Sequence, residues 1–67
     1  MNNEAIIEIR AALGLTQVGF SELLGISVRT LQGLESGRYK PEGATRTLIL
    51  VAKHFPGTLQ KLLKIAE

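Results

Sequence analysis

The chain has 67 residues, 45% of them apolar, and a net charge of +2. Its isoelectric point is about 9.4. These values fit one mildly basic globular domain over residues 1–67. It contains no cysteine and one histidine, which excludes a disulfide framework and leaves no ligand set for a zinc site. No apolar run approaches the roughly 18 residues of a membrane span and the N-terminus lacks a signal-peptide pattern, so we expect a cytoplasmic protein without cofactor or metal that does not bind membranes.

The first predicted helix covers residues 3–13. Its apolar residues recur at helical spacing and form one stripe. These residues are Ile6, Ile9 and Leu13. Asn2 or Asn3 can cap the start of the helix, and Gly14 stands where a glycine commonly follows the last turn. Ile7 lies off the stripe, so it belongs either to the edge of the core or to an interface.

Two short helical patterns, residues 17–24 and 28–36, surround the sharp turn Gly25-Ile26-Ser27. Thr16 precedes the first pattern and Ser27 precedes the second, where a hydroxyl oxygen can accept a hydrogen bond from the first helical turn. A helix, a tight glycine turn and a second helix are the signature of a helix-turn-helix motif. The residues predicted to face the core in this unit are Phe20, Leu23, Leu24, Ile26, Leu31 and Leu34.

The outward face of the second helix of this unit has few acids and several hydrogen-bond donors. Its predicted members are Val28, Arg29, Gln32, Gly33 and Ser36, with Thr30 on one flank. Arg38, Lys40 and Arg46 follow at or beyond the end of the unit, and a locally basic face suits a polyanionic partner. An ordinary solvated surface is the alternative reading of the same residues.

A polar loop leads into two more predicted helices. Pro41 prevents helical continuation, and a fourth helix follows over residues 44–55. The residues expected on its inner face are Leu48, Val51, Ala52 and Phe55. Because Ile49 and Leu50 lie off that face, this helix is either central and largely buried or also meets a partner. Pro56-Gly57 is expected to break the chain before a last helix, residues 59–66, capped by Thr58.

The inner face expected for the last helix is again apolar. Its members are Leu59, Leu62, Leu63 and Ala66. No strand pattern occurs, so the predicted fold is all-α, a compact bundle of about five short helices. No pair of carboxylates and no nucleophile with an activating base stands out, and His54 is expected at the surface. The chain is therefore not expected to be an enzyme.

The run LGLTQ…FSELLGISVRTLQGLESGRYKP resembles the phage-repressor and Cro-like helix-turn-helix family, also called the XRE type. The similarity covers about residues 6–55 and aligns without a gap through the unit at 16–37. Within that family, SVRTLQ followed by the P-x-G-A-x-R-x-L pattern that begins at Pro41 is most similar to DNA-binding antitoxins of type II toxin–antitoxin systems. The resemblance implies a lambda-repressor-like domain.

The resemblance also implies roles for residues at matching positions. The implied DNA base contacts are Val28, Arg29, Gln32 and Gly33. The implied DNA backbone contacts are Gln17, Ser27, Thr30, Arg38 and Lys40. Arg10 and Glu35 correspond to a buried structural ion pair in some relatives, and two solvated surface charges are the alternative. Gly33 stands where relatives often carry a polar side chain, so either one base contact is missing or the backbone approaches closely.

The function that follows from the resemblance is sequence-specific binding of double-stranded operator DNA by a transcriptional repressor, an antitoxin of a toxin–antitoxin operon. One module makes too few contacts for tight binding, so a homodimer is expected. The surplus apolar residues are candidates for its interface, and a filled core would accommodate them equally well: Ile7, Ile49, Leu50 and Ile65. Alternatives are a protein-interaction module that binds a toxin or another partner through the same helices, and a phage-type repressor without a toxin.

Overall fold

The computed structural model describes residues 1–66, with the side chains of all of these except Leu63, Ile65 and Ala66. Over this part of the chain it contains five helices and no strand, which confirms the predicted all-α fold. The helices are α1 (Asn3–Ala12), α2 (Gln17–Leu24), α3 (Val28–Glu35), α4 (Gly43–His54) and α5 (Pro56–Ala66). The inward positions predicted for Leu63 and Ala66, and the interface position of Ile65, lie outside the described side chains.

Side-chain caps fix the starts of the first three helices. The Asn2 side chain accepts a hydrogen bond from the Ala5 amide at 2.8 Å, so Asn2 rather than Asn3 is the cap of α1. Thr16 Oγ1 accepts from the Gly19 amide at 3.0 Å at the start of α2. Ser27 Oγ accepts from the Thr30 amide at 3.0 Å at the start of α3. Each cap satisfies an amide that has no partner within its helix.

A single apolar core joins the helices. Its buried members are Ile6, Ile9, Phe20, Leu24, Leu31, Leu34, Ile49, Ala52 and Leu59. Half-buried residues pack around them: Leu13, Leu15, Leu23, Ile26, Leu48 and Val51. Within the described residues, α3 packs on α1 and α2, and α4 packs on α1, α2 and α5. The core therefore holds α3 by one side and leaves its other side to solvent.

The inner face of α4 differs from the predicted one. Ile49, expected off the core face and as an interface candidate, has 0% of its surface exposed and lies among the largest buried side chains. Leu48 and Val51 flank the buried pair Ile49 and Ala52 and are only half-buried. The buried face of α4 thus runs along Ile49 and Ala52. This face differs from the predicted one because α4 packs on three other helices, which cover more than one of its apolar stripes.

The end of α4 and the start of α5 were also predicted incorrectly. Phe55 lies beyond the last residue of α4, with φ −136° and ψ 61°, and 64% of it is exposed, so it does not face the core. Pro56 is the first residue of α5 rather than a chain break. Proline is favoured at that position because its missing N–H would have no helical partner. Thr58 lies inside the first turn, and Leu62, expected to face inward, is exposed.

No helix among the described residues is long and apolar enough to cross a membrane.

Candidate nucleic-acid interface

The turn between α2 and α3 sets the direction in which α3 leaves the core. Gly25 has φ 71° and ψ 29°, a left-handed conformation that side chains with a Cβ disfavour. The Ile26 amide donates to the Ser21 carbonyl at 3.0 Å, and the half-buried Ile26 side chain packs against the core. This arrangement closes α2 and begins α3 within a few residues, so the two helices pack directly on each other.

The two sides of α3 have different surroundings. Leu31 and Leu34 are buried in the core. Arg29, Thr30 and Gln32 are exposed, and we call these three residues the outer face of α3. Val28, predicted to lie with them, is half-buried at the start of the helix. Two long polar side chains, Arg29 and Gln32, therefore project into solvent one helical turn apart.

The first turn of α3 carries a small hydroxyl pair. Ser27 Oγ accepts a hydrogen bond from the Thr30 amide and donates one to Thr30 Oγ1 at 2.9 Å. Both residues are exposed. A phosphate near this turn would therefore meet two hydroxyl groups and the amino end of the α3 dipole.

A chain of polar contacts runs from α1 to the outer face of α3. Arg10 Nε donates to Glu35 Oε2 at 2.7 Å, and Arg10 Nη2 donates to Glu35 Oε1 at 3.1 Å. Gln17 Nε2 donates to the same Oε1 at 3.1 Å. Gln32 Nε2 donates in turn to Gln17 Oε1 at 3.4 Å. Gln17 and Gln32 are thus oriented by an ion pair that lies beneath them.

Glu35 is largely withdrawn from water, with 6% of its side chain exposed. Its hydrogen bond and its charge raise the pKa of the Arg10 guanidinium above its ordinary value, with burial acting in the opposite direction. Arg10 Nη1 also donates to the Leu15 carbonyl at 3.1 Å. Asn3 Nδ2 donates to the Glu35 carbonyl at 3.1 Å, so α1 holds the end of α3 by two side chains. The arrangement that the resemblance implied for Arg10 and Glu35 is therefore a bidentate pair rather than two solvated charges.

Gly33 was predicted to face outward on α3, but it is buried. The Tyr39 ring lies against it from the loop after α3. The Gly33 carbonyl accepts hydrogen bonds from the Arg38 amide at 2.9 Å and from the Tyr39 amide at 3.2 Å. The loop therefore folds back over the last turn of α3 and places an aromatic side chain where residue 33 has none.

An open groove collects several of the predicted site residues. It is lined by Arg29, Gln32, Gly33, Ser36, Arg38 and Tyr39. Lys40 is exposed but lies beside a different cleft, near Asn2 and Pro41. Within the part of the chain that the structure describes, the ion pair is that of Arg10 and Glu35, and neither Arg29 nor Arg38 has an acidic partner. The groove is therefore polar, aromatic on one side and positively charged.

Sequence reasoning missed two features of this surface. Gln17 was predicted to contact phosphate, but its hydrogen bonds to Glu35 and Gln32 were not predicted. Tyr39 was predicted only as part of a polar loop. All of these contacts join residues at least six positions apart, so no local pattern shows them. A glycine in the middle of a short helix, followed by an aromatic residue in the next loop, was the available signal for the second.

These features together define the class of the protein as a helix-turn-helix domain. A family profile described as Helix-turn-helix matches residues 6–62. The chain therefore belongs to the XRE-type helix-turn-helix family, whose members are DNA-binding regulators, as the resemblance in the sequence had indicated. Membership of this family points to a non-enzymatic role.

The chain is also similar to the protein named Antitoxin HigA-2 of Vibrio cholerae serotype O1 (strain ATCC 39315 / El Tor Inaba N16961). The two are 32% identical over 62 residues, which is 92% of this chain and 60% of that relative. The chain thus spans about 60% of the length of the relative that it matches. No solved structure matched the chain significantly.

Proposed function

We propose that the chain is a sequence-specific, double-stranded DNA-binding transcriptional repressor, and that it acts as the DNA-binding antitoxin of a toxin–antitoxin operon. The observation that carries the proposal is the two-sided packing of α3. Leu31 and Leu34 anchor one side in the core, while Arg29 and Gln32 project from the other side of the same eight-residue helix. A helix held in this way can enter the major groove with polar side chains leading.

The base contacts in this proposal come from the first turns of α3. Arg29 binds guanine through two hydrogen bonds, and Gln32 binds adenine in the same manner. Val28, half-buried at the helix start, packs on a thymine methyl group. Gln17 supports this geometry because it accepts a hydrogen bond from Gln32. Gln17 would itself contact phosphate through the amino end of α2 and through the side-chain hydrogen-bonding capacity that Glu35 and Gln32 leave unused.

The remaining backbone contacts surround α3. Ser27 and Thr30 offer hydroxyl groups at its amino end, and the exposed Arg38 and Lys40 offer charge in the loop beyond it. Such contacts fix the position of a protein on the duplex and carry no sequence information by themselves. The protein would act in the bacterial cytoplasm, on nucleoid DNA when bound to its operator.

A homodimer completes the proposed binding unit. One α3 presents two long polar side chains, which is too little for tight binding at cellular salt. Two recognition helices in a dimer bind successive major grooves roughly 34 Å apart. The described residues extend over 32 Å in their longest direction, so two copies can span that distance side by side. Leu50 and Ile7 remain candidates for the interface, because both are at least partly exposed.

The antitoxin role is supported by the similarity to Antitoxin HigA-2 and by the sequence resemblance. A cognate toxin would be the protein partner, encoded beside this gene. A small reading frame next to the gene, whose product co-purifies with this chain, would support the role. A gene with no such neighbour would favour a phage-type repressor without a toxin.

The test of DNA binding uses a duplex that contains the region upstream of the chain's own gene, labelled for fluorescence anisotropy. In the proposed dimer, Arg38 and Lys40 of both subunits neutralise four phosphates. This number predicts a slope of about −3.6 for the logarithm of affinity against the logarithm of salt concentration. Arg29→Ala should cost about 1–3 kcal/mol on the preferred sequence and relax the preference there. Lys61→Ala is the matched control, since it removes an exposed cation from α5, which packs on α4.

Wild-type protein without salt-dependent binding would contradict the regulator proposal and favour a protein-interaction module. If Arg29→Ala weakens binding to all sequences equally, Arg29 is a backbone contact and does not read bases.

A further inference from the structure

We propose that Tyr39 is a specificity-determining residue of the DNA-binding surface. Its ring takes the place of the missing side chain at position 33 and makes an apolar contact with a thymine methyl group in the major groove. The proposal rests on the DNA-binding function proposed above and adds a residue that lies outside α3.

The loop after α3 is held in the conformation that this role requires. The Gly33 carbonyl accepts three hydrogen bonds, from the Arg38 amide, the Tyr39 amide and, at 3.2 Å, the Ser36 hydroxyl. Gly37, with φ 83°, allows the sharp reversal of the chain. Two successive amides on one carbonyl fix the residue 39 backbone next to the last turns of α3. These main-chain contacts fix the backbone from which the ring projects, and the ring itself lies against Gly33.

The ring occupies the space that a residue-33 side chain would need. A Cβ atom built on Gly33 would overlap the Tyr39 Cε2 and Cδ2 atoms and lie 3.2 Å from Cζ. By contrast, a Cβ on Gly57 meets nothing within 4 Å. Gly33 and Tyr39 therefore form a unit in which the ring from the loop packs on the helix at the residue that has no side chain.

This unit lies beside the side chains that are proposed to contact bases. Gly33 follows Gln32 and lies one turn beyond Arg29, and all three line the same groove as Tyr39. Tyr39 is 46% exposed there, so its ring presents a flat apolar surface beside two hydrogen-bonding side chains. Thymine is the base that offers an apolar group, its methyl, in the major groove, and aromatic side chains contact it.

The experiment compares four proteins on DNA selected by the wild type from a randomised duplex library. They are the wild type, Tyr39→Ala, Tyr39→Phe and Gly33→Ala. Tyr39→Phe keeps the ring and serves as the matched control. Tyr39→Ala removes the ring, and Gly33→Ala displaces it while leaving residue 39 unchanged. Circular dichroism and thermal unfolding establish that each variant is folded.

We expect Tyr39→Ala and Gly33→Ala to lose preference at the same base pair, a thymine in the selected sequence, by about tenfold in affinity ratio. Tyr39→Phe should keep the wild-type preference, because the ring and not the hydroxyl makes the contact. Replacing that thymine by deoxyuridine removes only the methyl group. This replacement should weaken wild-type and Tyr39→Phe binding and leave Tyr39→Ala binding unchanged.

The outcomes separate the two proposals. Wild-type protein that selects no sequence and shows no salt-sensitive binding overturns both of them. Wild-type binding with an unchanged preference in Tyr39→Ala overturns the Tyr39 proposal alone. If Tyr39→Phe and Tyr39→Ala lose the base preference equally, the Tyr39 hydroxyl makes the contact. If Tyr39→Ala weakens binding to all sequences equally, Tyr39 contacts the DNA backbone. Either result also overturns the role of the ring.

Discussion

Arg10 of α1 and Glu35 at the end of α3 form a bidentate ion pair, with Nε to Oε2 at 2.7 Å and Nη2 to Oε1 at 3.1 Å. The pair connects residues 25 positions apart. Because Glu35 Oε1 also accepts from Gln17, which accepts from Gln32, the pair reaches the outer face of α3. The first helix thereby helps to fix the side chains that the proposed function assigns to DNA.

Glu35→Gln should lower the free energy of unfolding by about 3 kcal/mol. The change leaves the Arg10 guanidinium, whose side chain is 22% exposed, without its counter-charge, so the loss lies at the lower end of the range for a buried pair. Urea unfolding followed by circular dichroism measures the loss. Glu8→Gln is the control, because Glu8 is exposed on α1. Equal stability of the two variants would show that the pair contributes nothing.

Ser27 allows the capping role to be separated from the proposed phosphate contact. Ser27→Ala should cost about 1 kcal/mol of stability, because the Thr30 amide loses its partner. Ser27→Asp restores an acceptor and should recover that stability. If a phosphate lies beside this turn, the added negative charge should weaken DNA binding about fivefold per subunit. Unchanged affinity for Ser27→Asp would place the phosphate elsewhere.

The turn between α2 and α3 should be sensitive to its glycine. Gly25→Ala should cost roughly 1–2 kcal/mol, because alanine is strained at the φ of 71° that Gly25 adopts. Gly57→Ala tests the general effect of adding a methyl group. Gly57 lies in the first turn of α5, where a Cβ meets nothing within 4 Å, so this variant should gain about 0.5 kcal/mol. Thermal unfolding of both variants shows whether the signs differ.

Ile49 and Ile7 distinguish the core from the candidate interface. Ile49→Val should cost about 1 kcal/mol, because it removes a methylene from a fully buried site. Ile7→Val, at a site 37% exposed, should change stability by less than about 0.5 kcal/mol. Unfolding midpoints at several protein concentrations check the assignment. An Ile49→Val effect that varies with concentration would place Ile49 in a dimer interface instead.

Helical spacing and capping residues in the sequence predicted most of the fold. Thr16, Ser27 and the turn at Gly25 are local signals, and each acts through hydrogen bonds within a few residues. The bounds of α2 were therefore predicted to the residue, and α3 ended one residue earlier than expected. The prediction failed at Pro56, where one residue type can either break a helix or begin one, and the following chain decides which.

The sequence alone determined that this chain forms short amphipathic helices around a helix-turn-helix, because periodicity and caps depend on neighbouring residues. Only the tertiary structure decided which stripe of α4 is buried, since α1, α2 and α5 cover it together. It also decided that Glu35 orients Gln17 and that Tyr39 covers Gly33. These contacts exist because the fold brings separate segments within a few ångströms, a distance that no local pattern encodes.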